Sequence, residues 1–495
     1  MNTDSQRQSG ASPARLPHPR GLYTLFLTEM WERFSYYGMR AFLVLFMVAA
    51  IDKGGLGMSD KIATSIYGLY TAAVYLLALP GGWVSDRLLG ARRSVWYGGI
   101  IIATGHFILA APRVETFFLG LVVVAVGTGL LKPNISALVG EIYPEGGARR
   151  DAGFTIFYMG INIGAALGPL ICSYLGEKFN WHYGFAAAGV GMVLGLVQFH
   201  ISRDRLGNAP FTAKPLGKWE SLAGKLAVAT LAAIIVLAMT GVIRINPVVI
   251  AQNTAKFIVA VASAYFTYIF FFAKLDRVER GRVGVIIILF VAAALFWAGF
   301  EQVGSSFNLF ADRYTARRIA WLDYVIPAGW FQSLGPVFVI AFAPVAAAIW
   351  VAMARKNINP SLGVKFGIGL ILLAAGFLVM AGASRGIGGG QKVWPTWLVA
   401  TYLLHTFGEL CLSPVGLSSV TKLAPKRLVG QMMGVWFLGA SLGNLVAGLL
   451  AGTLKSDAVQ AMPGQYLQMM IMPMAAGIVL MLLARPIKKW AAGVE

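Results

Sequence analysis

The stretch TEMWERFSYYGMR, residues 28–40, places four charged side chains inside a long apolar segment. If this segment is helical, its charged side chains and one tyrosine fall within an arc of roughly 100°. They are Glu29, Glu32, Arg33, Tyr36 and Arg40, at i, i+3, i+4, i+7 and i+11. The stretch therefore predicts a helix that is apolar over most of its surface and carries one charged stripe.

Composition indicates a protein of the lipid bilayer. Hydrophobic residues make up 57% of the 495 residues and charged residues only 13%, too few to solvate a soluble protein of this length. The net charge of +20 comes from Lys and Arg scattered between apolar segments, which is typical of membrane loops and not of a nucleic-acid-binding surface. We expect no removable signal peptide in the polar residues 1–20, and neither a disulfide nor a metal site from Cys172 and Cys411.

Apolar segments of about 20 residues recur along the chain, the first near 22–50 and the last near 465–485. They predict fourteen membrane-spanning helices. An even number puts both termini on one side of the membrane. The excess of Lys and Arg in the loops on that side predicts that both termini are cytoplasmic.

Two pairs of short segments repeat at nearly equal offsets. FYMGINIG at Phe157–Gly164 resembles WFLGASLG at Trp436–Gly443, and GTGLLKP at Gly127–Pro133 resembles GELCLSP at Gly408–Pro414. Such repeats are typical of secondary transporters whose two halves rock against each other.

The repeats predict the domain organisation. Two six-helix bundles, 21–203 and 283–486, are joined by a linker, 204–282, that holds two further spanning helices. The tails 1–20 and 487–495 are expected in the cytoplasm.

Further charged residues lie within apolar segments: Lys132, Glu301 and Glu409. A charge at mid-bilayer costs at least ~2.5–3.5 kcal/mol, so these groups need partners or a water-filled cavity. Together with the charged stripe they make four acids against three bases, and the excess acid is a candidate for reversible protonation. The alternative is a set of static ion pairs, but such pairs seldom stabilise a protein more than well-packed apolar residues do.

Aromatic and polar residues accompany these charges in the same segments. Each alone is more consistent with helix packing, but beside buried charges they predict the lining of a cavity. They are Tyr36, Tyr37, Tyr70, Tyr158, Asn162, Trp297, Ser413 and Trp436. Lys132 and Ser413 occupy equivalent places in the two repeats, each before a proline, which predicts that both lie near the pseudo-symmetry axis.

Three other features have simpler interpretations. His106 and His405 are expected to be hydrogen-bonded structural residues, and the run DRYTARR at 312–318 is expected to be solvated. The segment GGWVSDRLLGARR at 81–93 resembles the loop between helices 2 and 3 of the major facilitator superfamily. Plain cytoplasmic positive charge explains its Arg92 and Arg93 equally well.

These motifs together resemble the proton-dependent oligopeptide transporter family of the bacterial type, within the major facilitator superfamily. EMWERFSYYGMR is similar to the family's E-x-x-E-R-F-x-Y-Y motif, and GTGLLKPNIS, FYMGINIGA and GELCLSPVGLSSVTKLAP resemble its signatures in helices 4, 5 and 10. The resemblance implies an all-α membrane fold of two pseudo-symmetric six-helix bundles with two inserted helices. It also implies a symporter of the bacterial inner membrane that imports di- and tripeptides with protons by alternating access.

The resemblance also implies roles for the candidate residues. Proton coupling falls to Glu29, Glu32, Arg33, Lys132, Glu301 and Glu409, and an outer gate to Arg40 with Glu301. Peptide binding falls to Arg33, Tyr36, Tyr37, Tyr70, Lys132, Tyr158, Asn162, Trp297, Glu409, Ser413 and Trp436. Glu409 would meet the peptide's amino terminus, and Arg33 with Lys132 its carboxylate.

Two positions depart from the family pattern. Gly335 stands in QSLGP where the family often has an Asn, and Gly68 stands where animal members carry a His. Proton handling is therefore expected to rest on carboxylates, with protons as the coupling ion and no other cofactor.

Other functions stay open at this point. The same scaffold carrying nitrate, an amino-acid conjugate or a drug is the alternative among carriers. A membrane enzyme is disfavoured because no nucleophile, base or metal cluster is evident, and a channel would need no proton-linked gates. We expect the monomer to be the functional unit.

Overall fold

The computed structural model describes residues 17–144, 147–207, 217–240, 246–387, 391–454 and 459–493. The predicted amino-terminal tail lies almost wholly outside the described residues, as do 208–216 and 241–245 of the predicted linker. The domain boundaries given above therefore stay predictions.

The first half of the chain is helical throughout its spans. Its helices are α1 (Arg20–Val48), α2 (Asp60–Leu76), α3 (Ala78–Val84), α4 (Ala91–Leu109), α5 (Val114–Glu141), α6 (Gly147–Lys178) and α7 (Trp181–Ser202). A π-helical turn, Ser85–Leu89, extends α2 and α3 into one segment, Asp60–Leu89. The linker contributes α8 (Lys218–Met239) and α9 (Pro247–Phe272).

The second half follows the same plan. Its helices are α10 (Arg277–Phe300), α11 (Ser306–Tyr314), α12 (Leu334–Arg355), α13 (Leu362–Arg385), α14 (Thr396–Leu423), α15 (Val429–Ala451), α16 (Met462–Leu482) and α17 (Ala484–Ala491). Asp276 and Glu279 form a capping box that fixes where α10 begins. A short antiparallel hairpin, β1 (Arg318–Ile319) and β2 (Tyr324–Val325), lies between α11 and α12.

Within the described residues, eleven helical segments are long and apolar enough to cross a membrane. Helix α1 is not among them because of its charges, and α4 and α8 also fall outside this set. The prediction of an all-α protein with many membrane spans is confirmed. The number fourteen stays a prediction.

The helices pack into two bundles that meet along two seams. In the first half α1 packs against α6 and α7, and α4 against α5 and α7. In the second half α13 packs against α14 and α16, and α10 against α15. The halves contact each other where α2 meets α15 and α6 meets α12, while the linker helix α9 lies against both α2 and α15.

Helix α6 approaches the charged helix α1 through glycines spaced one turn apart. A methyl group on Gly164 would overlap the carbonyl oxygen of Met30, and one on Gly168 would overlap that of Phe34. Close backbone contact through small residues is typical of membrane helices, where van der Waals packing drives association. The repeated FYMGINIG segment therefore holds α1 in place.

The two halves are joined by charged contacts at the distal end, by which we mean the end of the bundle that holds Val48, Asp60 and Lys178. The opposite end, where α1 begins, is the proximal end. Arg313 donates to both carboxylate oxygens of Asp60, at 2.6 and 2.8 Å. Across the same interface Glu177 accepts hydrogen bonds from the backbone of Ala328 and Gly329, at 2.7 and 2.9 Å.

One backbone oxygen on α1 also joins the halves. The carbonyl of Ala41 accepts hydrogen bonds from the side-chain amides of Asn308 and Gln332, at 2.7 and 3.0 Å. Nearby, the indole of Trp330 donates to the carbonyl of Leu170 at 2.8 Å. Direct contacts thus close the distal side of the interface.

The expectation that the run at 312–318 is merely solvated is wrong. Arg313 forms the contact with Asp60 described above, and Arg317 lies mostly buried between Asp312 and Glu177. Only Arg318 matches the expectation, since its side chain is exposed and pairs with the exposed Asp323 in the hairpin. The sequence run gave no indication of acidic partners so far away along the chain.

Replacing Gly164 by Ala is expected to lower the melting temperature of the detergent-purified protein by several degrees. Overpacking of a tight contact typically costs about 1–3 kcal/mol, and here the neighbour is backbone that has no rotamer to change. Gly82→Ala is the matched control, because a Cβ at Gly82 meets nothing within 4 Å. Equal melting temperatures for the two variants would contradict the packing argument.

Replacing Glu177 by Ala is expected to loosen the distal closure, because two backbone N–H groups lose their acceptor. Spin labels at the exposed positions Phe179 and Trp321, in a background with both cysteines changed to Ala, report the separation of the halves. We expect a longer and broader distance distribution. Asp323→Ala serves as the control, since Asp323 pairs only within its hairpin, and an unaltered distribution for Glu177→Ala would refute the prediction.

Candidate functional site

A cavity of about 130 Å³ lies between the two halves. Helices α1, α2 and α6 border it on one side, and α10, α12 and α14 on the other. The predicted site residues on its wall are Tyr37, Arg40, Tyr158, Asn162, Trp297, Glu301 and Glu409. Both halves therefore contribute polar and charged groups to one pocket.

Other predicted residues lie behind this wall. Tyr36 packs edge-on against Tyr37, with ring centroids 5.1 Å apart, and stacks against Tyr70 at 6.2 Å. Ser413 is half-buried on α14, one turn beyond Glu409, and Trp436 is buried on α15. In this conformation neither Ser413 nor Trp436 lines the cavity.

The strongest contact at the cavity joins Arg40 of the first half to Glu301 of the second. Arg40 Nη1 lies 3.0 Å from Glu301 Oε2, and both side chains are about 95% buried. The hydroxyl of Tyr67 donates to the same carboxylate at 3.4 Å. The Arg40 guanidinium also lies over the rings of Tyr36 and Tyr37, at 5.8 and 5.0 Å from the centroids, so aromatic faces replace water around the cation.

The charged stripe of α1 forms a second buried group. Arg33 Nε lies 2.9 Å from a Glu29 oxygen and 2.5 Å from a Glu32 oxygen. One guanidinium thus serves two carboxylates, and this group carries a net charge of −1 when both acids are ionised. The spacing predicted from the sequence places these side chains together as expected.

Lys132 and Glu409 lack ionic partners in this conformation. Among the described residues, no carboxylate lies within 4.0 Å of the Lys132 ammonium and no cation within 4.0 Å of the Glu409 carboxylate. The Lys132 ammonium instead lies 3.7 Å from the ring centroid of Tyr75, whose side chain lines the cavity. The cavity wall therefore presents a free acid and, behind one aromatic ring, a free base.

One face of α14 contributes more of the wall than sequence reasoning predicted. Tyr402, His405, Thr406 and Glu409 all line the cavity, at i, i+3, i+4 and i+7. This spacing of polar groups on an apolar helix is a usable signal, but of these four residues only Glu409 is among the predicted site residues. Tyr75 on α2 was missed as well, since a single tyrosine carries no distinguishing pattern.

His106 and His405 differ in whether their ring nitrogens have hydrogen-bond partners. His405 Nε2 lies 3.1 Å from the carbonyl oxygen of Leu373, in agreement with a hydrogen-bonded role, although its ring also faces the cavity. For His106 the expectation is wrong, because both of its buried ring nitrogens lack a hydrogen-bond partner among the described residues.

Gly335 also lines the cavity, at the place where the resemblance leads one to expect an Asn. A Cβ built on Gly335 would meet only Thr406, at 4.0 Å. The missing side chain thus leaves open space in the wall, and its amide is not supplied from this position.

A sequence profile of the POT family matches residues 92–469. The chain belongs to the POT family. The profile match covers most of the chain, and it includes the signature segments around Lys132, Asn162 and Glu409. The family resemblance seen in the sequence is therefore confirmed.

Named relatives are similar in sequence to this chain over nearly its whole length. The peptide transporter YePEPT of Yersinia enterocolitica is 44% identical over 491 residues, 95% of each protein. A di-/tripeptide transporter of Lactococcus lactis subsp. cremoris is 37% identical over 487 residues, 95% of this chain and 96% of the relative.

Solved structures of POT proteins share the fold. A mutant of the peptide transporter POT in complex with alafosfalin matches with a TM-score of 0.88 and 39% identity over 96% of both chains. A POT family transporter in complex with 5-aminolevulinic acid matches with a TM-score of 0.86 and 33% identity, over 95% of this chain and 97% of the other. The predicted major facilitator fold is thereby confirmed for this POT protein.

Removing one member of the Arg40 and Glu301 pair is expected to destabilise the protein more than removing both. A buried charge without its partner costs roughly 3–5 kcal/mol, whereas the neutral pair leaves no unpaired charge. Melting temperatures of Arg40→Gln, Glu301→Gln and the double variant in detergent test this coupling.

The exposed pair Arg318 and Asp323 is the control for that cycle, with single and double changes expected to be small and additive. Additive losses at Arg40 and Glu301 as well would show that the buried contact is not energetically coupled.

Proposed function

We propose that this POT protein is a proton-coupled symporter that imports di- and tripeptides by alternating access. We place it in the bacterial cytoplasmic membrane with both termini inside, so that the distal end faces outward, and we take the monomer as the functional unit. The observation that carries the proposal is the cavity between the halves, with its unpaired Glu409 and its wall residue Tyr75 over the unpaired Lys132. The names of the relatives, which are peptide transporters, support peptides over nitrate, conjugates or drugs.

Peptide recognition follows from the two unpaired groups. Every short peptide carries an ammonium at one end and a carboxylate at the other, so one fixed acid and one fixed base recognise the whole class. Glu409 would bind the amino terminus, and Lys132 with Arg33 the carboxylate. The aromatic wall residues, Tyr37, Tyr158 and Trp297 among them, would accept different peptide side chains without requiring specific hydrogen bonds.

Proton coupling would use the surplus of acid. In the α1 group Glu29 and Glu32 share Arg33, and at the interface Glu301 holds Arg40. A proton on Glu301 would weaken its hold on Arg40 and with it the outer gate. A proton on Glu29 or Glu32 would remove the excess negative charge of the α1 group, so that Arg33 and the unpaired Lys132 would bind the peptide carboxylate together.

Alternating access would then be a rigid-body movement of the two halves. The contacts of Arg40, Arg313 and Glu177 hold the distal side closed in the conformation described above. Breaking them together would admit peptide and proton from outside. At ~2.3 kcal/mol per charge per 100 mV and ~1.4 kcal/mol per pH unit, one proton drives accumulation of the order of 100-fold.

Glu32→Gln is expected to reduce proton-driven uptake of labelled dialanine into proteoliposomes by at least about 10-fold, because a fixed neutral amide cannot exchange a proton. Counterflow exchange of dialanine without a proton gradient should persist. Glu115→Gln, at an exposed position at the start of α5, is the matched control and should transport normally. Full gradient-driven accumulation by Glu32→Gln would rule out this residue as a coupling group.

Glu409→Gln is expected to abolish the preference for a free amino terminus. The intact protein should bind dialanine at least about 10-fold better than N-acetyl-dialanine, since only the former brings an ammonium to the unpaired acid. In the variant the two affinities should converge, as measured by competition with a labelled dipeptide. Thr406→Val, a change of a cavity residue without charge, should keep the preference, and an undiminished preference in Glu409→Gln would remove this acid from the peptide site.

A further inference from the structure

A second cavity, of about 620 Å³, lies in the first half at the proximal end. It is bordered by the start of α4, the end of α5 and the end of α7 with the turn that follows it. It shares no lining residue with the central cavity, and the proposed transport cycle does not use it. Its lining includes Gly90, Arg92 and Arg93 from the segment that resembles the major facilitator loop.

The charged groups of this cavity are only partly paired. Arg92 lies 3.2 Å from Asp204 and donates to the carbonyl of Gly207. Arg93 and Arg203 form no hydrogen bond or ion pair with any residue in the described part of the chain, and both are exposed to solvent. Among the described residues of the lining Glu141 is the one acid, so two free guanidinium groups face one carboxylate.

The start of α4 adds to the positive potential of the cavity. Gly90 precedes the helix with φ of 76°, a backbone conformation that suits glycine, and no side chain caps the first turn. The free N–H groups of a helix that begins inside a cavity attract anions, as does the helix dipole. The helix terminus and the arginines therefore both attract an anion into this cavity.

The apolar surface below the cavity indicates what kind of anion it fits. On α4 the exposed residues Tyr97, Ile100 and Phe107 follow Arg93 at helical spacing and form a strip toward the membrane centre. On α7 a matching strip consists of Val190, Leu194, Val197 and Ile201. The two strips are adjacent, because the ring of Phe107 lies against α7 at Gly189. A ligand with a phosphate head and hydrocarbon tails covers both, whereas a free phosphate would leave the strips uncovered.

We propose that this cavity binds the headgroup of an anionic phospholipid from the leaflet on the side of the chain termini. Arg93 and Arg203 bind the phosphate, with the flat guanidinium groups suited to two hydrogen bonds each. Glu141 accepts hydrogen bonds from headgroup hydroxyls such as those of phosphatidylglycerol. Basic pockets between membrane helices are known to select anionic headgroups on physical grounds of this kind.

Aromatic packing holds the base of the site in place. Trp96 stacks on Phe199, with ring centroids 6.2 Å apart, and so ties α4 to α7 directly below the arginines. A bound lipid would strengthen the same connection between helices of one half. It would therefore stabilise the first bundle and leave the seam between the halves unchanged.

The test is native mass spectrometry of the full-length protein in detergent, titrated with phosphatidylglycerol. The double variant Arg93→Gln/Arg203→Gln is expected to bind the first lipid about 10-fold or more weakly, because two contacts to the phosphate are lost. Arg205→Gln is the matched control, since Arg205 is exposed and close in sequence but does not line the cavity, and it should bind as the intact protein does.

A comparison of lipids that differ in headgroup with soluble phosphates identifies the source of the phosphate that the cavity binds. Phosphatidylglycerol should raise the melting temperature of the intact protein, and phosphatidylcholine and phosphatidylethanolamine should raise it less. Inorganic phosphate or glycerol 3-phosphate at the same concentration should have no effect. An equal effect of the zwitterionic lipids overturns selection by charge, and an equal effect of the soluble anions overturns the lipid as the ligand.

The melting temperature of the double variant without lipid shows whether weaker binding is caused by a loss of folding. It should match that of the intact protein. If the double variant melts lower, Arg203→Gln alone and Arg93→Lys/Arg203→Lys take its place. The first should weaken binding and the second should largely restore it, since charge is kept. Unchanged lipid binding in the Gln variants overturns the proposal.

Discussion

The cost of burying charge in a membrane is the constraint on which this architecture depends. A single charged side chain in hydrocarbon costs at least ~2.5–3.5 kcal/mol, and α1 alone carries four such groups. Arg33 finds two carboxylates on its own helix, but Arg40 reaches its acid, Glu301, only across the interface. Arg40 therefore has its partner only when both bundles are assembled around α1, and the glycines of α6 keep α1 at the depth where this contact forms.

The interface between the halves holds both completed and incomplete charge pairs. Arg40 at the cavity wall and Arg313 at the distal end have their acids, and backbone N–H groups satisfy Glu177. At the cavity Lys132 and Glu409 have none among the described residues. Under the proposed function, a molecule that brings an ammonium and a carboxylate together would supply the missing partners of Lys132 and Glu409, so that substrate binding would also balance these charges.

Much of this arrangement could be predicted from the sequence, because helical spacing relates residues on one helix. The charged stripe of α1 and the two repeated halves followed from spacing, whereas the pairing of Arg40 with Glu301 came from the family resemblance. Contacts between distant helices leave no periodic trace: Asp60 and its partner Arg313 are 253 positions apart. For the same reason the contact of the Lys132 ammonium with the ring of Tyr75 was missed. The cavity-facing side of α14 does have helical spacing, but only its Glu409 was predicted as a site residue.

The hydrogen bonds to the carbonyl of Ala41 have a consequence for how the contact between the two halves breaks. It accepts hydrogen bonds from Asn308 on α11 and from Gln332 in the turn before α12, on either side of the hairpin. Because both amides share one acceptor, a small displacement of α1 breaks both bonds at once and leaves three polar groups to be hydrated together. A partial separation of the halves at this point thus keeps neither bond, which favours a contact that is either fully formed or fully broken over an intermediate one.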